Sequence, residues 1–431
     1  MNNDEQIRKV LDAIGGFEPS DARRDQVVQL SAQLRSLIDQ GLAATRIPYE
    51  IQEVGSYAKG TALADSDLDL FVLVPETEVR HVLYRLEQRI RPILSIERMN
   101  VQTAYLRGTY DGISFDIVPC PNLVDLRMNS NISRTPLHTE HVRTHLDASK
   151  QIEVRWLKQF FRTIGVYGAD GTVNGLSGYT VECLIIRFGS FIRVLRHLAQ
   201  AGIHSSIDDS TLEGVLSFAD PVDPKRNLFG SITVQTFARL QLETQLFLSA
   251  PSERFFRSRE TVPERSLLEP RWNSRASFGL VLELQTSETV PGIRASQLRR
   301  FVRQLEQVLC SEDHPVFRSS TLHVEAQDLI LVEFEHRYRS LVRQMGPETD
   351  RSIVEFVQLH QQKSHLIRTL DHRVVAERPA RSYDVRTLLA QLGPTGRIVQ
   401  RSFDIRELDL NNSDHLRLMQ IHLGNEFIGI K

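Results

Sequence analysis

The stretch Val54–Val74, VGSYAKGTALADSDLDLFVLV, limits what this chain can become more than any other. Its second half is an apolar run, Leu68, Leu70, Phe71, Val72, Leu73 and Val74, of the kind that forms a buried strand. A strand presents side chains with period two, so Asp67 and Asp69 point to one face at its start. Two carboxylates side by side repel each other unless a cation sits between them, and hard oxygen ligands suit Mg²⁺. Upstream, Gly55-Ser56 opens a turn, and three residues separate Ser56 from Gly60-Thr61. A Gly-Ser turn opening a short helix offers backbone N–H groups and a hydroxyl to phosphate oxygens. A phosphate cradle beside a carboxylate pair implies phosphoryl or nucleotidyl transfer. A bare D-x-D is a common polar turn; the specificity lies in its spacing from the Gly-Ser turn.

The segments around this core read in order. Asp21–Ala44 has apolar residues at helical spacing and is expected to pack on the catalytic sheet. Ile47–Val54 is a short strand, and Glu78–Arg91 a covering helix. Val101–Tyr110 and Ile113–Val118 flank Asp111-Gly112, a strong hairpin signal. Asp116 sits in the returning strand. A carboxylate in an apolar strand is costly unless paired or metal-bound, so Asp116 is either an edge residue facing water or a third metal ligand. His138, His141 and His145 share a helix at spacings of three and four. With no cysteine partner and no HExxH, they read as polar-face residues rather than a zinc site.

Beyond them, His145–Ile164 is a helix, and Gly178–Leu198 a second, capped by Ser177 and apolar enough for the centre of a bundle. Val234–Leu248 is a third, and Arg257–Ala276 reads as a hinge or exposed loop. A β-α-β-β unit follows, with strand Ser277–Leu284, helix Ala295–Leu309 and strands Val316–Val324 and Leu329–Phe334. It lacks the ring-bearing motifs of sheet-face RNA binders. A helix over Ile353–Leu366 comes next, and Ala376–Lys431 is mixed. The expected division is a catalytic domain over 1–137, a helical nucleotide-binding domain over 138–258, an α+β RNA-binding domain over 259–345 and a tail over 346–431.

Composition sets outer limits. The 431 residues, 41% hydrophobic and 25% charged, are those of a globular chain of several domains. No apolar run spans a bilayer, and the polar N-terminus lacks the apolar core of a secretion signal. No membrane role is expected, and the expected location is cytoplasmic. Cys120, Cys183 and Cys310 are far apart and odd in number, which fits buried thiols in a reducing compartment. The net charge of −2 argues mildly against a nucleic-acid binder. Lys59, Lys158 and Lys225 nonetheless fall inside motifs.

The Gly-Ser turn, spacer and [DE]-x-[DE] strand resemble the signature of the polymerase-beta-like nucleotidyltransferase superfamily. Later blocks narrow it: FDIVPC at Phe115–Cys120, SRTPLH at Ser133–His138, EVRWLKQFFRTIGVYGAD at Glu153–Asp170, GLSGY at Gly175–Tyr179, DPVDPKRN at Asp220–Asn227 and RQMGP at Arg343–Pro347. In this order they resemble the class I (archaeal-type) CCA-adding enzymes, which are tRNA nucleotidyltransferases. The resemblance is dense from Val54 to Phe256 and thin beyond.

It implies an α+β multidomain fold: a polymerase-beta-like palm, a helical middle domain and a small α+β C-terminal domain with a helical tail. It implies template-independent addition of C, C and A to tRNA lacking a complete 3′ CCA, from CTP and ATP with Mg²⁺, by a chain expected to be a homodimer. Asp67 and Asp69 would hold both ions, and Asp116 the one that activates the primer 3′-hydroxyl. Gly55, Ser56 and Lys59 would contact the triphosphate from the turn. His138, Lys158 and Tyr167 would complete that site, Thr135 would lie near the nucleotide, and Arg226 would face the base. The alternatives are a relative with another acceptor, such as an RNA-tailing enzyme or second-messenger synthase, and an inactive RNA-binding homologue. Intact Asp67, Asp69 and Asp116 argue against the last.

Overall fold

The protein is described here by a computed structural model covering residues 3–100, 104–122, 134–169, 171, 173–257, 265–286, 290–338, 340–348, 353–363, 365–370, 373–392 and 403–423. Expectations for residues 101–103, Ser133, Asp170, 258–264, 393–402 and 424–431 lie wholly or partly outside these. The chain forms two compact units, one within Met1–Arg259 and one within Glu260–Glu426.

The first unit opens with α1 (Asn3–Ile14) and α2 (Asp21–Leu42), the latter capped by the Ser20 side chain, which accepts from the Arg23 N–H. A five-stranded sheet follows, built from β1 (Glu50–Val54), β2 (Leu68–Val74), β3 (Ile96–Asn100), β4 (Ala104–Tyr110) and β5 (Ile113–Pro121) in the order β1-β2-β5-β4-β3. Between β1 and β2 lies one turn of helix, α3 (Gly55–Ala58), and between β2 and β3 lies α4 (Val79–Ile90). β2 and β5 run parallel and the other pairs antiparallel. The hairpin joining β4 to β5 turns at Asp111 and Gly112, both with positive φ (47° and 70°), as a tight primed turn requires.

Period two divides the sheet. Leu68, Leu70, Val72, Phe115 and Ile117 pack under Leu30, Leu34 and Ile38 of α2 and Val82 and Leu86 of α4. Phe71, Leu73, Val118 and Cys120 face the other way. Asp69 and Asp116 have the parity of this second group and stand at its end. β5 is interior to the sheet, so Asp116 is not an edge residue.

The rest of this unit is helical: α5 (Thr135–His145), α6 (Ala148–Thr163), α7 (Gly178–Phe188), α8 (Phe191–Gln200) and α9 (Val234–Ser249), with a two-residue pair of strands, β6 (Ser205–Ser206) and β7 (Leu216–Ser217), before α9. The helix expected over Gly178–Leu198 is two helices. Gly189, at φ 82°, ends α7 in the left-handed conformation, and Ser190 caps α8. Phe160, Phe191, Phe247, Phe255 and Phe256 form the centre of the helical core, with ring centroids 5.3–5.9 Å apart.

The second unit begins with α10 (Arg265–Asn273), where a hinge or loop was expected. Burial of Leu268 and packing of Trp272 against Val281, Leu331 and Leu418 offset the helix-breaking tendency of Pro270. The β-α-β-β unit is present as β8 (Phe278–Gln285), α11 (Pro291–Ser311), β9 (Val316–Val324) and β10 (Gln327–Phe334). Then come β11 (Leu341–Glu348), α12 (Val354–Gln362), β12 (Leu366–Leu370), β13 (Arg373–Pro379), α13 (Val385–Leu392), β14 (Asp404–Glu407) and α14 (Ser413–Leu423). β14 joins the first of two sheets, ordered β14-β8-β10-β9, and the second is β11-β13-β12. The expected helix over Ile353–Leu366 stops at Gln362, and Leu366 opens β12. Cys120 and Cys183 are buried as expected, whereas Cys310 is exposed on α11.

Candidate active site

Asp69 and Asp116 are direct partners across the parallel β2–β5 pair, and Asp67 lies two residues before Asp69. The turn beside them depends on Gly55. Its φ is 73°, and a Cβ there would come within 2.0 Å of Asp69 Oδ2. Glycine is thus needed both for backbone conformation and for close approach to the carboxylate. Burial first, then the negative charges of Asp116 and Asp67, push the Asp69 carboxyl up to about 7. Asp67 is raised as well, chiefly by burial.

A cation that pairs with Asp67 and Asp116 is Arg107 of β4, which sequence reading did not single out. It lies opposite Asp116 in the β4–β5 pair. Its Nε donates to Oδ1 of Asp116 at 2.8 Å and its Nη2 to Oδ2 at 2.7 Å, while Nη2 is also 3.8 Å from Asp67 Oδ2. Among the described residues no three carboxylate, imidazole or thiolate groups converge as a ready-made metal cluster. The donor chemistry of Asp67, Asp69 and Asp116, all oxygen and all anionic, still fits a hard divalent ion.

The turn is stapled from behind. Glu182 of α7 is fully buried, accepting from Lys59 Nζ at 2.6 Å, Thr61 Oγ1 at 2.5 Å and Lys158 Nζ at 2.9 Å. The two ammonium charges, with the bonds from Lys59 and Thr61, outweigh the burial penalty and hold its carboxyl at about 2. Lys158 spends its other donations on Thr61, at 3.1 Å to O and 2.9 Å to Oγ1. Its ammonium therefore lies beneath the turn rather than in an open cleft. Nearby, Arg155 donates to Gly60 O at 2.9 Å, and Arg162 pairs with Asp65 at 2.8 Å. Arg155, Lys158 and Arg162 form one stripe of α6 clamped onto the loop after α3.

A second buried carboxylate, Asp220, organises the next wall. It accepts from His138 Nε2 (2.9 Å), Arg226 Nη1 (2.9 Å), Tyr179 Oη (3.2 Å) and Val222 N (2.9 Å). The bonds from His138, Val222 and Arg226, with the His138 charge, keep it well below the usual carboxylate range despite burial. The His138 ring stacks on Tyr179 at 3.8 Å, and Lys59 Nζ lies 6.0 Å from the same Tyr179 ring. Lys59, Tyr179, His138 and Arg226 are thereby joined into one surface. Burial lowers the His138 pKa, against the pull of Asp220. Thr135 opens α5, three residues before His138. Tyr167 packs by α7, its hydroxyl within 3.0 Å of where a Cβ on Gly178 would be, and burial raises it to about 12. Of His141 and His145, the first stacks on the second at 4.3 Å.

Arg107, Glu182 and Asp220 are the organising residues that sequence reading missed. Asp220 stood in a quoted block and Glu182 in an apolar helix where a carboxylate is conspicuous. Only strand register could have given Arg107.

Carboxylates on neighbouring strands, facing a Gly-Ser turn at the foot of a mixed sheet, define a nucleotidyltransferase. Residues 39–138 match the family described as nucleotidyltransferase domain, 152–257 the tRNA nucleotidyltransferase second domain, and 275–403 the CCA-adding enzyme C-terminal domain. The CCA-adding enzyme of Thermoplasma acidophilum is 30% identical over 355 residues, which is 80% of each chain. That of Thermoplasma volcanium is 32% identical over 305 residues, covering 69% of this chain and 68% of its own. The chain belongs to the CCA-adding enzymes, the tRNA nucleotidyltransferases.

Proposed function

We propose that this protein adds C, C and A to the 3′ end of tRNA from CTP and ATP, with Asp67, Asp69 and Asp116 holding Mg²⁺. The observation that carries the site is the Asp69–Asp116 register pair, with the Gly55 turn packed against Asp69. When bound, divalent ions in such a trio supply positive charge to the attacking and leaving oxygens of an in-line displacement. The chain's own residues do the rest. Gly55 and Ser56 offer the turn's N–H groups and hydroxyl to the triphosphate. Lys59, aimed by Glu182, offsets charge on the departing pyrophosphate. Lys158 serves that end by fixing Thr61 and Glu182 rather than by reaching phosphate itself. His138, its ring fixed by Asp220 and Tyr179, stands beside Lys59, with Thr135 and Tyr167 bordering the same surface. Arg226 presents N–H donors that match acceptors on either base.

The test is Asp116→Ala and Asp67→Ala in incorporation of labelled CTP. Each should lower turnover by about a hundred- to a thousandfold or more, the scale seen when a group that stabilises transition-state charge is removed, while the melting temperature stays near that of the parent. Normal turnover in either variant would remove these carboxylates from the chemistry.

A further inference from the structure

The arrangement around Arg107 goes beyond binding a substrate, and the inference rests on the reading that Asp67, Asp69 and Asp116 are ion ligands. We propose that Arg107 is a built-in counter-cation of the carboxylate trio, which a divalent ion held through Asp116 must displace. One guanidinium engages both oxygens of Asp116, at 2.8 and 2.7 Å, and approaches Asp67 at 3.8 Å. It thus bridges two of the three carboxylates, the place where a shared cation belongs. A fixed positive charge there and an incoming divalent ion repel each other, so the two compete for the same oxygens.

Arg107 cannot vacate the position by losing a proton, because a guanidinium stays charged; it has to move. The structure gives it room to do so. Its side chain is 45% exposed, against 12% for Asp116, so it can swing into water while the carboxylate stays in place. The aromatic ring beside it tolerates the charge in the conformation seen here. Tyr105, two residues away on the same face of β4, lies 5.6 Å from the guanidinium carbon, within cation–π range. Asp69 makes no ion pair with Arg107. An ion held by Asp67 and Asp69 without Asp116 is therefore resisted less than the one that also needs Asp116.

The consequence is a metal site that is electrostatically satisfied when empty and binds free divalent ions weakly. The experiment is Mn²⁺ binding to the full chain without nucleotide, read by the electron paramagnetic resonance of free Mn²⁺. It is paired with melting temperatures in a chelator and in saturating Mn²⁺. Arg107→Ala should bind Mn²⁺ at least tenfold more tightly than the parent. It should melt lower than the parent in chelator, and Mn²⁺ should close the gap. Arg107→Lys, which keeps the charge without the fork and preserves packing if the alanine variant fails to fold, should fall between. Unchanged or weaker Mn²⁺ affinity in both variants would overturn the proposal. Asp69→Asn and Asp116→Asn separate the two readings. If both bind Mn²⁺ as the parent does, the carboxylates are not the ion site. If they lose Mn²⁺ while the Arg107 variants match the parent, the site stands and the counter-cation does not.

Discussion

Two buried carboxylates decide how the cationic residues of the site are aimed. Glu182 joins two lysines and a threonine with no exposure to water. Removing one partner from such a group leaves uncompensated buried charge, so Glu182→Ala should cost about 3–5 kcal/mol in denaturant unfolding. A cost below about 1 kcal/mol would show that the lysines find other partners. Its pH dependence has a definite sign. The folded pKa, about 2, lies below the ordinary glutamate value, so the stabilisation is complete above that ordinary value and lost as pH falls toward 2. Glu182→Gln should flatten acid unfolding in that window. For Arg226, held by Asp220 yet 30% exposed, the proposed task is a different one, facing the base. Arg226→Ala should change the ratio of C to A incorporation more than it changes stability; an unchanged ratio would take Arg226 out of the base pocket. At this scale the sequence was legible where chemistry is local. Asp67, Asp69 and the Gly-Ser turn announce themselves by spacing. Lys158 did not, because a lysine in a motif looks alike whether it meets phosphate or a buried glutamate 24 positions on.

Elements were readable where periodicity and caps agreed. α2, α6 and α9 follow their apolar spacing and begin behind Ser20, Asp147 and Thr233, each accepting from a backbone N–H three residues on. The β4–β5 hairpin follows from Asp111-Gly112. Where tertiary contacts decide, the reading failed. Apolar residues run on through Gly189-Ser190, and this hid a helix end whose signal, glycine then serine, was present. Gly189 tests this directly. A Cβ there meets nothing nearer than 3.8 Å, so only the left-handed backbone opposes a side chain. Gly189→Ala should cost about 1 kcal/mol, measured by chemical denaturation; a neutral or stabilising result would mean that the junction relaxes out of that conformation. α10 is the opposite case, a helix around a proline that local rules read as a loop. β14 pairs with β8 from more than a hundred residues away, so its place in the sheet has no local trace.

For the whole molecule, the three family matches span both compact units, which ties the C-terminal half to the same activity although its motifs were thin in the sequence. The net charge of −2 means that bulk attraction does not bring this chain to RNA, so recognition of the acceptor rests on local groups. The central claim is therefore about the acceptor and the order of addition as much as about the carboxylates. The most direct measurement is incorporation of labelled CTP and ATP, separately and together, onto tRNA lacking its 3′ CCA, with Mg²⁺. The account predicts two C additions, then one A, then a stop, with no product from Asp69→Asn. Open-ended tailing, a nucleotide product independent of tRNA, or no incorporation by the parent chain would contradict it.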